Sequence, residues 1–186
     1  MDLLEFIQQQ PTPVTDKYDL GYIEHFYNKL FSPRRLTAQR VLEIGIYHGQ
    51  SIQLWKDYFT NADIHAFDIN YCDSVVNQDR IFPRFTNAYS MTTINELSGM
   101  QFDIVIDDGP HTLPSLEFFC EHYINLVRPG GIFVVEDIID TTWTPRLLEI
   151  LGPNRKSQVV HMAGLARTKH LQTLWANGLD VIIVEA

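Results

Sequence analysis

Seven short runs rich in β-branched residues alternate with longer amphipathic stretches: Val41–Ile44, Ile64–Phe67, Phe82–Thr86, Asp103–Ile106, Ile132–Val135, Gln158–Met162 and Val181–Val184. Runs this uniformly apolar are strands buried on both faces, and a mostly parallel sheet between two helical layers buries them that way. The expected fold is therefore α/β and Rossmann-like. Between the fourth and fifth runs, Leu116, Phe119, Cys120, Tyr123 and Leu126 recur at helical spacing. Pro114 suits the first turn of that helix, and Pro129-Gly130-Gly131 ends the segment. Residues 19–31 read as a second amphipathic helix, preceded by the proline-punctuated loop Gln10 to Val14. This N-terminal arm, residues 1–31, can lie over a cleft as a lid. With 186 residues and no internal repeat or interdomain linker, the chain is expected to form one domain, 1–186. It can also be one domain of a larger polypeptide.

Two acidic pairs sit at the ends of neighbouring apolar runs: Asp107-Asp108 after Phe102 to Ile106, and Glu136-Asp137 after Gly131 to Val135. If those runs are adjacent strands, about 4.8 Å apart, the carboxylates converge on one small volume. Anions gathered there repel unless a cation neutralises them. A hard divalent cation with oxygen ligands does so, Mg²⁺ first and Mn²⁺ as a substitute, whereas a structural zinc is disfavoured. Asp108 continues as Gly109-Pro110-His111, placing a titratable imidazole near the same site. Asp107, by strand alternation, faces away from Asp108 and can be structural, bonding nearby amides.

After the first run comes Glu43-Ile44-Gly45-Ile46-Tyr47-His48-Gly49-Gln50-Ser51, followed by a helix carrying Ile52, Trp55 and Phe59. Glycines at 45 and 49 let the backbone approach a ligand at the carboxyl ends of the strands. The spacing is not that of a dinucleotide loop, and no Gly-Lys-Ser/Thr offers a phosphate cradle. Asp68, at the tip of the second run about 20 residues further on, can accept from ribose hydroxyls. Together these features point to a nucleoside, with Glu43 in reach of its polar groups.

The stretches Val41-Leu42-Glu43-Ile44-Gly45, Gly49-Gln50-Ser51 with Trp55, Phe67-Asp68-Ile69, Phe102 to Gly109 with His111, Pro129-Gly130-Gly131, and Val135-Glu136-Asp137 with Trp143 resemble class I S-adenosylmethionine-dependent methyltransferases. The likeness runs over about residues 15–143 and is greatest to the metal-dependent sugar O-methyltransferases of the macrocin and mycinamicin type. The resemblance implies strand order 3-2-1-4-5-7-6 with the last strand antiparallel. It implies S-adenosylmethionine at Glu43, Gly45, Gly49, Ser51, Asp68, Ala88, Tyr89 and Asp107. It implies magnesium or manganese at Asp108, Glu136 and Asp137, with Asp108 and His111 catalytic and His111 the general base. The implied acceptor is a sugar hydroxyl of an oligosaccharide or glycosylated small molecule. Two positions depart from the pattern. Pro110 replaces a small polar residue, and Asn87-Ala88-Tyr89-Ser90 replaces an acidic stretch at the adenine end, so a backbone amide near Ala88 and the Tyr89 or Ser90 side chain are expected to take over there.

The net charge of −9, with no Lys/Arg run to offset it, argues against nucleic-acid partners and anionic lipid. No stretch approaches the roughly 18 apolar residues of a membrane helix, and the start carries no secretory signal. The two cysteines, Cys72 and Cys120, lack metal-like spacing and read as free thiols, so a soluble cytoplasmic protein, with oligomerisation open, is expected. Three other activities share parts of this pattern: O-methylation of a catechol-like small molecule, non-catalytic nucleoside binding, and oxidative chemistry of the cephalosporin-hydroxylase kind. The last lacks an evident two-histidine, one-carboxylate iron set.

Overall fold

In the computed structural model, residues 1–10, 15–174 and 179–186 are described. The strands are β1 (Arg40–Ile44), β2 (Asp63–Asp68), β3 (Ile81–Phe85), β4 (Phe102–Asp107), β5 (Val127–Ile138), β6 (Lys156–His161) and β7 (Asp180–Glu185). They form one sheet in the order β3-β2-β1-β4-β5-β7-β6. β1 to β5 run parallel, and β7 is antiparallel to both β5 and β6. The expected fold class, order and single antiparallel strand are all present.

Alternation along each strand divides the core. Val41, Ile104, Ile106, Ile132 and Val134 face one helical layer, whereas Leu42, Ile44, Val105, Phe133 and Val135 face the other. The first layer contains α1 (Leu3–Gln8), α2 (Asp16–Asp19), α3 (Asn28–Phe31) and α4 (Gln50–Tyr58). The second contains α5 (Met91–Glu96), α6 (Leu113–His122) and α7 (Thr144–Leu151); a short α8 (Lys169–Leu174) precedes β7. Thr112 and Ser115 form a capping box at the start of α6, with Pro in the first turn, which explains why that helix was legible from its sequence.

Two elements depart from expectation. β5 is longer than Ile132–Val135, because Pro129-Gly130-Gly131 stays extended: the Gly130 N–H donates to the Ala186 carbonyl and the Ala186 N–H to Gly131. At its other end β5 runs on to Ile138, which pairs with Asp180, so the acidic pair Glu136-Asp137 lies inside β5, not beyond it. The expected helix over 19–31 is interrupted. Gly21 takes φ +84°, and Ile23–Tyr27 forms a π-helical turn before α3. One turn of π-helix spans more than four residues, so Tyr22 and Tyr27, five apart, share a face. Tyr22, Phe26, Tyr27 and Phe31 are all buried in the core, which makes this part of the arm an integral layer. Most of the loop Gln10 to Val14 lies outside the described residues. Both cysteines are free and buried, and among the described residues no helix is long and apolar enough to cross a membrane.

Candidate active site

The carboxyl ends of β1, β2 and β4 are tied together by backbone bonds, Gly45 N–H to the Phe67 carbonyl and Asp108 N–H to the Ile44 carbonyl, each 2.8 Å. Gly45 has φ +100°, and a Cβ there would lie 1.9 Å from the Asp108 backbone oxygen. Only glycine permits that approach. Gly49, at φ +79°, opens α4. Between this loop and the end of β4 is a cavity of about 290 Å³, at the lower end of the usual range for small-molecule sites. Gly45, Ile46, Tyr47, Gln50 and Ser51 line one wall, Asp108, Gly109, His111 and Asp137 another, and Thr15 and Asp16 of the N-terminal arm border it.

His111 and Asp137 both have φ +52°, a left-handed conformation that costs a non-glycine residue energy and clusters at functional sites. These turned backbones bring the side chains together. His111 Nε2 lies 3.6 Å from Asp108 Oδ1 and 3.7 Å from Asp137 Oδ2. One ligand atom from each of Asp108, His111 and Asp137 lies within 4.8 Å of the others. Neighbouring ligands of an octahedral ion with bonds of about 2.1 Å are roughly 3 Å apart, so slight closure would seat a hard divalent cation. The buried His111 Nδ1 has no partner within the protein.

Glu136 stands directly behind this wall, almost fully buried, and accepts from Tyr27 Oη and from Lys17 Nζ, the latter at 2.5 Å. Lys17 also bonds Asp108 Oδ2 at 2.6 Å and lies 3.6 Å from Glu43 Oε1. Tyr22 Oη donates to Asp137 Oδ1. Burial pulls the Lys17 ammonium toward neutrality, but attraction to Asp108, Glu136 and Glu43 outweighs it and holds its pKa well above the usual value. Burial and mutual repulsion push Glu136 and Asp137 upward despite Lys17. Sequence reasoning did not anticipate Lys17, nor that Tyr22 and Tyr27 would donate to these carboxylates. No local signal marks Lys17, which sits between Asp16 and Asp19 in a single helical turn.

The expected cofactor residues fall into three positions. Gly45 and Ser51 line the cavity, and Gly49 shapes its loop. Asp68 holds that loop from beneath: Oδ2 accepts the Ile46 and Tyr47 N–H groups at 2.9 and 3.1 Å, and Oδ1 accepts Asn70 N–H at 2.8 Å. Its partial burial favours the neutral form, but these amide donors prevail and lower its pKa. Glu43 is fully buried under the cavity floor, accepting from the Ser51 hydroxyl and the Trp55 indole. Asp107 is also fully buried, facing away from Asp108 as alternation requires, with Tyr89 Oη donating at 2.8 Å. Burial raises its pKa to about 7 against the Tyr89 and Gly109 hydrogen bonds. Ala88 is buried, and its carbonyl accepts from Tyr123 Oη.

A seven-stranded sheet in this order, with a glycine loop after β1 and an acidic cluster on β4 and β5, defines the class I methyltransferase architecture. The family described as "Methyltransferase domain" matches residues 42–138, and the chain belongs to that family. It is 31% identical over 151 residues to demethylmacrocin O-methyltransferase of Streptomyces fradiae, covering 76% of this chain and 38% of that protein. It is 30% identical over 154 residues to mycinamicin VI 2''-O-methyltransferase of Micromonospora griseorubida, covering 76% and 37%. The solved structure of the MycE methyltransferase from the mycinamycin biosynthetic pathway, in complex with Mg, SAH and mycinamycin VI, superposes with a TM-score of 0.63 at 29% identity, covering 79% of this chain and 39% of that one. The chain thus spans about two fifths of the length of these relatives.

Proposed function

We propose that this chain is the catalytic unit of a metal-dependent O-methyltransferase that transfers the methyl group of S-adenosylmethionine to a sugar hydroxyl on a glycosylated small molecule or oligosaccharide. The observation that carries this reading is the convergence of Asp108, His111 and Asp137 on the cavity that the Gly45 loop borders. A bare nucleoside-binding domain has no use for it. The similarity to sugar O-methyltransferases, one of them solved with Mg and SAH, supports the same reading.

In this proposal the Gly45–Ser51 loop, held by Asp68, binds the nucleoside, and Tyr89 with the backbone near Ala88 borders its adenine end. Asp108, Glu136 and Asp137 would hold Mg²⁺ or Mn²⁺, for which all-oxygen ligands are suited. When bound, the cofactor supplies an electrophilic methyl group, and the metal lowers the proton affinity of the acceptor hydroxyl. His111, at the cavity wall, accepts the hydroxyl proton as the oxygen attacks. Thr15 and Asp16 border the cavity and act as its lid, while Tyr22, Phe26, Tyr27 and Phe31 of the arm are fixed core.

Methyl transfer from isotopically labelled S-adenosylmethionine to a panel of glycosides and glycosylated polyketides, with and without EDTA, tests the proposal. Labelling of a sugar acceptor that EDTA abolishes and Mg²⁺ restores is expected. EDTA-resistant transfer, or transfer to catechols but to no sugar, rejects it.

A further inference from the structure

A lysine buried to 1% exposure among carboxylates calls for an explanation beyond fold stability. Its ammonium is delivered from the N-terminal arm and reaches Asp108 across 91 positions of sequence and Glu136 across 119. Apolar residues of similar volume often replace buried ion pairs without loss of stability, so the charge itself is the feature to account for.

The three carboxylates at Lys17, together with Asp137, bring four acidic groups into one largely buried volume. Ionised as metal ligands must be, the four carry charge enough for two cations: Lys17 offsets one negative charge and a divalent ion would offset two more. The hydrogen bonds divide the oxygens accordingly. On Asp108, Oδ2 faces Lys17 and Oδ1 faces His111 and the cavity. Asp137 gives Oδ1 to Tyr22 and leaves Oδ2 toward His111. Each Glu136 oxygen has one protein donor and retains a second lone-pair direction. Lys17 therefore does not fill the place of the metal but occupies the rear of the same cluster.

We propose that Lys17 acts through the metal-holding carboxylates Asp108 and Glu136 as a resident monovalent cation that weakens the hold of the cluster on a divalent ion. This rests on the metal-dependent reading above. Two like charges that share one carboxylate are coupled. A unit and a double charge roughly 5 Å apart repel by more than the equivalent of a tenfold change in affinity, even at the dielectric constant of water. Lys17 thereby lowers the affinity of the site for the metal, and it links the arm bearing Thr15 and Asp16 to the state of that site.

The experiment compares wild type, Lys17→Met, which keeps the length but not the charge, and Lys17→Arg. Mn²⁺ binding is followed by electron paramagnetic resonance of the free ion, and thermal unfolding is measured with and without Mn²⁺. Lys17→Met is expected to bind Mn²⁺ at least tenfold more tightly and to gain more thermal stability from it than wild type gains, with Lys17→Arg resembling wild type. A lysine that merely anchored the arm would leave both quantities equal in the folded variant; equality, or weaker binding, overturns the proposal. Should Lys17→Met not fold alone, recovery on refolding in Mn²⁺ supports it, because the ion supplies the missing charge, and failure to recover overturns it. Wild type that binds no Mn²⁺ at all rejects the metal-dependent reading itself, and the role of Lys17 with it.

Discussion

Asp68→Ala tests the proposed nucleoside role of Asp68 together with its hold on the Gly45–Ser51 loop. The carboxylate takes three backbone N–H groups, from Ile46, Tyr47 and Asn70. Tyr47 and Asn70 are exposed, so their amides turn to water once the side chain is gone, whereas Ile46 is buried and its N–H is left without a partner. One orphaned buried donor costs about 1 to 3 kcal/mol, which sets the expected loss of stability. On the proposed reading the effect on cofactor adds to this, since the Gly45–Ser51 loop would lose its anchor and the ribose its charged acceptor. At about 1.5 to 3 kcal/mol for a hydrogen bond to a charged group, affinity for S-adenosylhomocysteine should fall by one to two decades. Asp68→Asn keeps one oxygen for Ile46 and should fall between Ala and wild type. Calorimetric titration of folded protein measures the affinity, and thermal unfolding measures the stability. A folded Asp68→Ala protein with affinity within threefold of wild type would refute the assignment.

His111→Ala should reduce turnover by about 10²- to 10⁴-fold while leaving cofactor affinity unchanged; a parallel tenfold loss of Mn²⁺ affinity would instead make His111 a metal ligand, as its place beside Asp108 and Asp137 permits. Gly45→Ala drives a Cβ to 1.9 Å from the Asp108 carbonyl at φ +100°, with backbone on both sides. A loss of about 3 to 5 kcal/mol in denaturant unfolding is expected, and near-normal stability would show that β1 and β4 can part there. His65, buried against Phe82 and Phe102, has its pKa lowered to about 4 by burial and by nearby Arg84. Below pH 6.5 the unfolded chain binds a proton that the folded chain refuses, so stability should fall between about pH 6.5 and 4, by about 1 to 3 kcal/mol after solvent screening. His65→Phe should flatten that part of the profile, and an unchanged slope would assign it to other groups.

The fold and half of the site were legible in the sequence because their signals are local. Uniform β-branched runs such as Val41–Ile44 and Asp103–Ile106 have only one economical burial, and alternation within them decides that Asp107 turns inward while Asp108 faces the site. Gly45 and Gly49, and the acidic pairs on β4 and β5, mark the carboxyl edge of the sheet without reference to anything distant. What compensates the acids was not legible. Lys17, Tyr22 and Tyr27 are an unremarkable lysine and two helix tyrosines until the arm packs on the first layer and a π-helical turn aligns the tyrosines. The same holds for Asp68, whose loop contacts depend on β1 and β2 lying side by side, and for Pro129-Gly130-Gly131, which extends β5 because Ala186, more than 50 residues on, pairs with it. Sequence periodicity reports which side chains leave water, since that depends on neighbours a turn or a strand step away. Which charges meet once water is gone depends on long-range packing, and only the tertiary structure decided it.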